Sequence, residues 1–254
     1  MKNSLAKHMR FFAATFIAVG LALAARSGER GALCLTFDDR NFAAWERCLP
    51  LFEKYGAHAT FFVCGPIDAR AEVCMKKLSA AGHSVGLHGF KHMRATDGLS
   101  RLGEEGYLRA EILPQITVCR DKGIPAKSFA YPMSARTPQT DALLLRHFNR
   151  LRAGYGKIGD KTWGEARPPF PRGEAGKNRV HIGLCGTNPP EMPGQIATML
   201  PSVAASNVVL TVYAHNIEAK GAKHDKHNIA EEDLEKILRA ARECGVAVLG
   251  FDEL

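Results

Sequence analysis

The sequence predicts an α/β fold, a distorted (β/α) barrel of about seven βα units with mostly parallel strands. Three observations carry this. Short apolar runs and amphipathic segments alternate along the chain. Gly, Pro and short polar stretches punctuate them, with no linker that would divide the chain. The length, 254 residues, is one at which a single barrel is routine. A hydrophobic fraction of 46% with 24% charged residues excludes a disordered or fibrous chain.

The first element is a leader. "MKNSLAKHMR" is basic, Phe11 to Ala25 is apolar, and Ala22-Leu23-Ala24 offers a small-x-small cleavage site. The apolar run is shorter than the roughly 20 residues a spanning helix needs. Residues 1–25 therefore read as a signal peptide and 26–254 as the catalytic domain, with periplasmic or secreted localisation expected; an uncleaved membrane anchor is the alternative. The net charge is +8, but Lys2, Lys7 and Arg10 of the leader supply three of those charges. No run of Lys/Arg with interleaved aromatics marks a nucleic-acid surface, and the remaining excess fits an ordinary solvated surface. The seven cysteines are odd in number and include no Cys-x-x-Cys pair, so most read as small buried hydrophobes.

The strands and helices then follow in turn. "ALCLTF" reads as a buried strand and "AAWERCLPLFEKYG" as a helix closed by Gly56. "HATFFVCG" is a second strand, "ARAEVCMKKLSAAG" a helix stopped at Gly82, and "HSVGLH" a third strand. "EEGYLRAEILPQITVCRDKG" is a helix broken or kinked at Pro114. "KSFAYP" is a fourth strand, and "PQTDALLLRHFNRL" a helix. Gly154 to Gly176, rich in Gly, Pro and charge, reads as a surface excursion. "RVHIGLCG" and "NVVLTVYAH" are later strands, "AEEDLEKILRAARECG" an amphipathic last helix and "VAVLGF" a final strand.

Sites in parallel α/β folds assemble at the carboxyl ends of the strands. The first strand ends in Asp38-Asp39, the third in His88, the fourth near Tyr131-Pro132 and a late one in His215. His92 follows His88 by four residues, with Gly89 allowing a tight turn. Two imidazoles and a carboxylate bind a divalent cation and leave positions open for water. Adjacent acids at a strand end point to different sides, so one can ligate while the other transfers protons. Each feature alone has a plainer reading. Asp38 could cap the next helix, and Tyr131 and Trp163 could stack on a sugar face or equally be packing. His83 precedes its strand and reads as a local hydrogen-bonding residue, while His58 and His181 start strands at the opposite rim. "KGAKHDKHN", with His224 and His227, reads as a solvated loop near the active rim.

The ordered set "TFDD", "GHSVGLHGFKH", "FAYP" and "VYAH" resembles the polysaccharide deacetylases of carbohydrate esterase family 4, the NodB-homology domain. The similarity runs from Gly31 to Leu254. It implies a distorted (β/α) barrel, a divalent metal, usually zinc, and hydrolysis of N-acetyl groups on a glycan substrate. Position by position, Asp38 matches the general base, Asp39, His88 and His92 the metal ligands, and His215 the general acid. Tyr131, Pro132 and Met133 match the third motif, where a backbone N–H near Met133 would serve the oxyanion. The sequence departs from the pattern at Gly89, where Ser or Thr is usual. It departs again at Ala130, where the arginine that orients the base is usual; Arg136 and Arg152 are the candidates to replace it. Asp160 and Trp163 lie in the region of the Asp/Trp motif with poor spacing. Two alternatives stay open: a hydrolase of another acyl or C–N bond (an O-acetyl ester or a cyclic amide), and a catalytically silent glycan-binding protein.

Overall fold

A computed structural model describes residues 31–154, 179–222 and 226–254. The leader, nearly all of the Gly154–Gly176 excursion with Asp160 and Trp163, and His224 lie outside the described residues. Seven parallel strands form a ring: β1 (Ala32–Asp39), β2 (Thr60–Val63), β3 (Ser84–Leu87), β4 (Ser128–Ala130), β5 (Arg150–Gly154), β6 (Arg179–Cys185) and β7 (Val209–Ala214). Each pairs with its neighbour in sequence, and β1 pairs with β7 to close the barrel. The closure is uneven. β1 and β7 align from Ala32–Val209 to Phe37–Ala214, whereas β3 and β4 share only the pair Leu87–Phe129. This is the distorted barrel that the alternation predicts.

Period-2 alternation sorts the residues of β1 between two environments. Leu33, Leu35 and Phe37 join an outer layer with Trp45, Phe52 and Phe61, beneath α1 (Phe42–Arg47) and α2 (Leu49–Tyr55). Phe37 stacks on Phe61 at 5.3 Å and Trp45 leans on the same ring at 5.1 Å. Each such ring contributes about 1.5–3 kcal/mol by leaving water. Cys34 belongs to a separate inner cluster with Phe62, Ala130, Val209 and Phe251. Asp38 has the same parity as Cys34, and so faces the barrel interior.

The helices lie outside the ring. α3 (Ala69–Ala80) starts at Asp68, whose side chain accepts from the Ala71 N–H at 2.9 Å. α4 (Ala95–Tyr107), α5 (Leu113–Asp121), α6 (Pro138–Leu144) and α7 (Met192–Ala204) follow. α8 (Glu231–Cys244) buries Leu234, Ile237, Leu238 and Ala241, a stripe at helical spacing, and carries three acids in its first turn, where the helix dipole favours them.

Three sequence expectations need correction. The helix predicted over "AAWERCLPLFEKYG" is two helices, because Pro50 suits the first turn of a new helix better than the interior of an old one. The break expected at Pro114 lies upstream of it, as a π-helical turn over Leu108–Ile112. The helix predicted over Pro138–Leu151 ends at Leu144, and β5 follows it. Leu151 and Ala153 of β5 face the outer layer, while Arg150 and Arg152 take the other parity. Charged residues at interior positions hid a strand from a hydrophobicity reading.

Candidate active site

The carboxyl ends of β1, β3 and β7 place Asp38 and Asp39, His88 and His215 at one mouth of the barrel. Asp39, His88 and His92 each offer one ligand atom, and these atoms lie within 4.8 Å of one another. Oδ1 of Asp39 stands 3.8 Å from Nε2 of both His88 and His92, and the two Nε2 atoms are 3.2 Å apart. His88 Nδ1 lies 2.8 Å from the Ala130 carbonyl and donates to it, which leaves the Nε2 lone pair facing the site. Burial pushes the His88 pKa down to about 4, so the ring is neutral. Two imidazole nitrogens at 3.2 Å beside a carboxylate suit a shared cation. Donors on one tetrahedral zinc would stand about 3.4 Å apart.

The neighbouring acids are placed differently. The Asp39 side chain is 39% exposed and Asp38 only 3%. Asp39 adopts φ 81 and His92 φ 56, both left-handed. With Met133 and Ser134 they are the only non-glycine residues at positive φ among the described residues, and all four border this mouth. Local strain of this kind concentrates at functional sites.

Asp38 is held by Arg152. The guanidinium Nη2 donates to Asp38 Oδ1, and both side chains are buried. Arg152 also lies over the rings of Tyr213 at 5.1 Å and Phe62 at 5.4 Å, so its stem crosses the barrel interior from β5. Burial alone would raise the Asp38 pKa, but Arg152, His88 and His215 together hold it below the ordinary carboxylate value. Asp38 is therefore ionised at neutral pH. Of the two candidates for the missing guanidinium, Arg152 reaches Asp38. Arg136 pairs with Asp141 instead.

His215 follows β7 directly. Its backbone N–H and its Nδ1 both donate to the His227 carbonyl, at 2.9 and 3.2 Å, which turns the other ring nitrogen, Nε2, away from that carbonyl. The loop that brings His227 there is closed by a short parallel pairing of β8 (Ile217–Glu218) with β9 (Ile229–Ala230). Glu218 Oε1 accepts from Asn216 Nδ2 at 2.9 Å and Asn228 Nδ2 at 2.8 Å, tying the two ends of that loop.

The third motif is only partly as expected. Tyr131 is fully buried and its hydroxyl donates to Asp141 at 2.8 Å, so its ring is packing and not a surface for substrate. Pro132 is buried as well, whereas the Met133 side chain is exposed at the mouth. Ser134 Oγ accepts from the Gly154 N–H at 2.7 Å and anchors this turn to β5. His83 accepts from the Ala59 N–H at 3.0 Å, and His58 pairs with Glu253. Sequence reasoning missed Glu111. Its carboxylate accepts from the Lys91 and Met93 N–H groups of the His88–His92 loop.

The polysaccharide deacetylase family profile matches residues 25–167, more than half of the chain. No curated protein matches it. Solved structures similar to it include a polysaccharide deacetylase from Bacillus cereus, at 18% identity and TM-score 0.54 over 87% of this chain and 92% of that one. The catalytic domain of a peptidoglycan N-acetylglucosamine deacetylase from Eubacterium rectale shares 16% identity at TM-score 0.54, covering 88% and 90%. The Xyl-CE4 domain of a multidomain xylanase from the hindgut metagenome of Trinervitermes trinervoides shares 14% at TM-score 0.54, covering 89% of each chain. At these identities the likeness is one of fold.

Proposed function

Because the chain belongs to the polysaccharide deacetylase family, carbohydrate esterase family 4, we propose that it is an exported, metal-dependent hydrolase that removes N-acetyl groups from a glycan. One observation carries this reading. Three metal-competent donors converge beside a buried carboxylate that a guanidinium keeps ionised. The Eubacterium rectale structure is of a deacetylase acting on peptidoglycan N-acetylglucosamine, which supports an N-acetylated substrate here.

Asp39, His88 and His92 would hold the ion, and the two-histidine, one-carboxylate set suits zinc. When bound, a divalent ion lowers the pKa of water and polarises an acyl carbonyl, the two deficits of acetamide hydrolysis near neutral pH. Asp38 takes the proton of the attacking water, and Arg152 keeps that carboxylate charged and aimed. A backbone N–H at the Met133 turn would donate to the developing oxyanion, a contribution of about 3 kcal/mol. His215 protonates the departing nitrogen, since expulsion of an unprotonated amide anion is too costly. Arg152 restores the guanidinium absent from the third motif, which removes the main reason for preferring another acyl or C–N substrate. A silent glycan binder has no use for a base and an acid around a metal site.

The test is acetate release by zinc-loaded protein from chitin oligomers, peptidoglycan fragments and acetylated xylan. The expected result is release from an N-acetylated glycan together with bound metal. Release from acetylated xylan alone would make the protein an O-acetyl esterase. No release and no metal uptake would refute the hydrolase reading.

A further inference from the structure

The geometry points to Glu111 as the positioning residue that sets the His88–His92 loop before any ion arrives. This rests on the reading that Asp39, His88 and His92 hold a metal. Glu111 is fully buried yet carries a carboxylate, which must be met by donors. Its hydrogen-bond partners are the loop itself. The Lys91 N–H donates to Oε1 at 3.0 Å and Oε2 at 3.1 Å, and the Met93 N–H to Oε2 at 3.2 Å. The Phe90 N–H donates to the Glu111 backbone carbonyl at 3.0 Å. One residue outside the ligand set thus gathers three amides of the loop that spaces the two imidazoles.

His92 explains how one carboxylate collects them. Its φ of 56 is left-handed, and a left-handed residue turns the N–H groups on either side toward a common point, a nest for an anion. The same conformation carries the His92 ring to His88. Gly89 completes the fit. A Cβ there would stand 2.7 Å from Glu111 Oε2, on a backbone whose φ of 84 already favours glycine. The residue that replaces the usual Ser or Thr therefore makes room for the carboxylate. Glu111 lies in the π-helical turn over Leu108–Ile112, a departure from the α-helix that is frequent at functional positions.

The experiment is zinc transfer from the loaded protein to a chromophoric chelator, for wild type, Glu111→Gln and Glu111→Asp, below the melting range of each. Groups that orient metal ligands typically change metal affinity by about 10–100-fold. Glu111→Gln, which exchanges an acceptor oxygen for a donor, is expected to weaken zinc binding by about that factor. Glu111→Asp, which keeps the charge, should lose less. A purely structural role would lower the melting temperature and leave the affinity of the folded protein unchanged, and that result overturns the inference. Should neither variant fold, hydrogen exchange of metal-stripped wild type decides. Slow exchange at Phe90, Lys91 and Met93 is expected, and exchange as fast as in an unstructured peptide overturns it. A wild type that takes up no zinc overturns the metal reading beneath it, and is recognised before any variant is compared.

Discussion

The two sides of the barrel serve the site in different ways. The side from β1 to β4 carries Asp38 and the proposed metal ligands in two short stretches of sequence, and the second stretch is braced by the Ala130 carbonyl and by Glu111 from farther along the chain. Asp39 follows Asp38, and His92 follows His88 by four residues. Arg40, next in the chain, ties the loop after β1 to the loop after β2 through the Cys64 carbonyl at 2.8 Å and Asp68 at 2.7 Å. The side from β5 to β7 carries Arg152, which holds the charge of Asp38, and His215, the proposed acid, and each reaches the site alone. Arg152 crosses the interior to Asp38, and His215 is steadied by a carbonyl from the far end of a loop. The proposed ligands thus come from two short stretches of one side, and the charge and the acid that serve Asp38 come from the opposite side. Variants on the two sides should therefore separate metal content from rate.

The largest separation is expected at Arg152. Arg152→Met removes the charge that offsets the burial of Asp38, so the Asp38 pKa rises. The acidic limb of the kcat/KM profile moves to higher pH, and the rate falls by about 100-fold or more, as for loss of a positioned base. Metal content by elemental analysis stays at the wild-type value. Arg152→Lys restores charge without the guanidinium fork and recovers only part of the rate. Metal loss in Arg152→Met would erase the distinction between the two sides.

A smaller effect is expected at Glu218, which touches neither ion nor substrate. Glu218→Ala frees Asn216 and Asn228 and loosens the loop that holds His215. A displacement of about 1 Å costs up to about 100-fold, so kcat should fall between 10- and 100-fold with metal content unchanged. An unchanged kcat would show that the β8–β9 pairing holds His215 without it.

The smallest effect is one of stability, far from the ion. Burial pushes His83 down to about 4, against about 6.5 for an unfolded chain. Between these values the unfolded state binds the additional proton, so His83 contributes stability that is complete above pH 6.5 and lost as pH falls toward 4. The contribution is up to about 3 kcal/mol. His83→Gln keeps an acceptor for the Ala59 N–H and should flatten the stability profile in that window, measured by urea denaturation with chelator present throughout. A profile as steep as that of wild type would assign the acid loss to other groups.

The same asymmetry governs what could be read from the sequence. The Asp-Asp pair and the two histidines were legible because their spacing is set by a strand end and a tight turn. β1, β2 and β3 were legible because their apolar runs are nearly unbroken. Arg152 was nameable only as one of two candidates. Its strand alternates charge inward with Leu151 and Ala153 outward, which reads as a helix end, and nothing local ties it to Asp38. Glu111 left no signal, since its partners are backbone amides that any sequence supplies. Tyr131 stayed open between two readings for the opposite reason. An aromatic at a strand end suggests a sugar platform, but Asp141, ten residues on, draws its hydroxyl into the core.

The most direct test compares the two adjacent carboxylates. Asp38→Asn and Asp39→Asn are each assayed for bound zinc and for acetate release from the N-acetylated glycan that wild type hydrolyses. Asp38→Asn should keep one zinc and lose activity, while Asp39→Asn should lose the zinc with the activity. An active, zinc-loaded Asp38→Asn, or an Asp39→Asn that binds zinc as tightly as wild type, would contradict the division of labour between these neighbours.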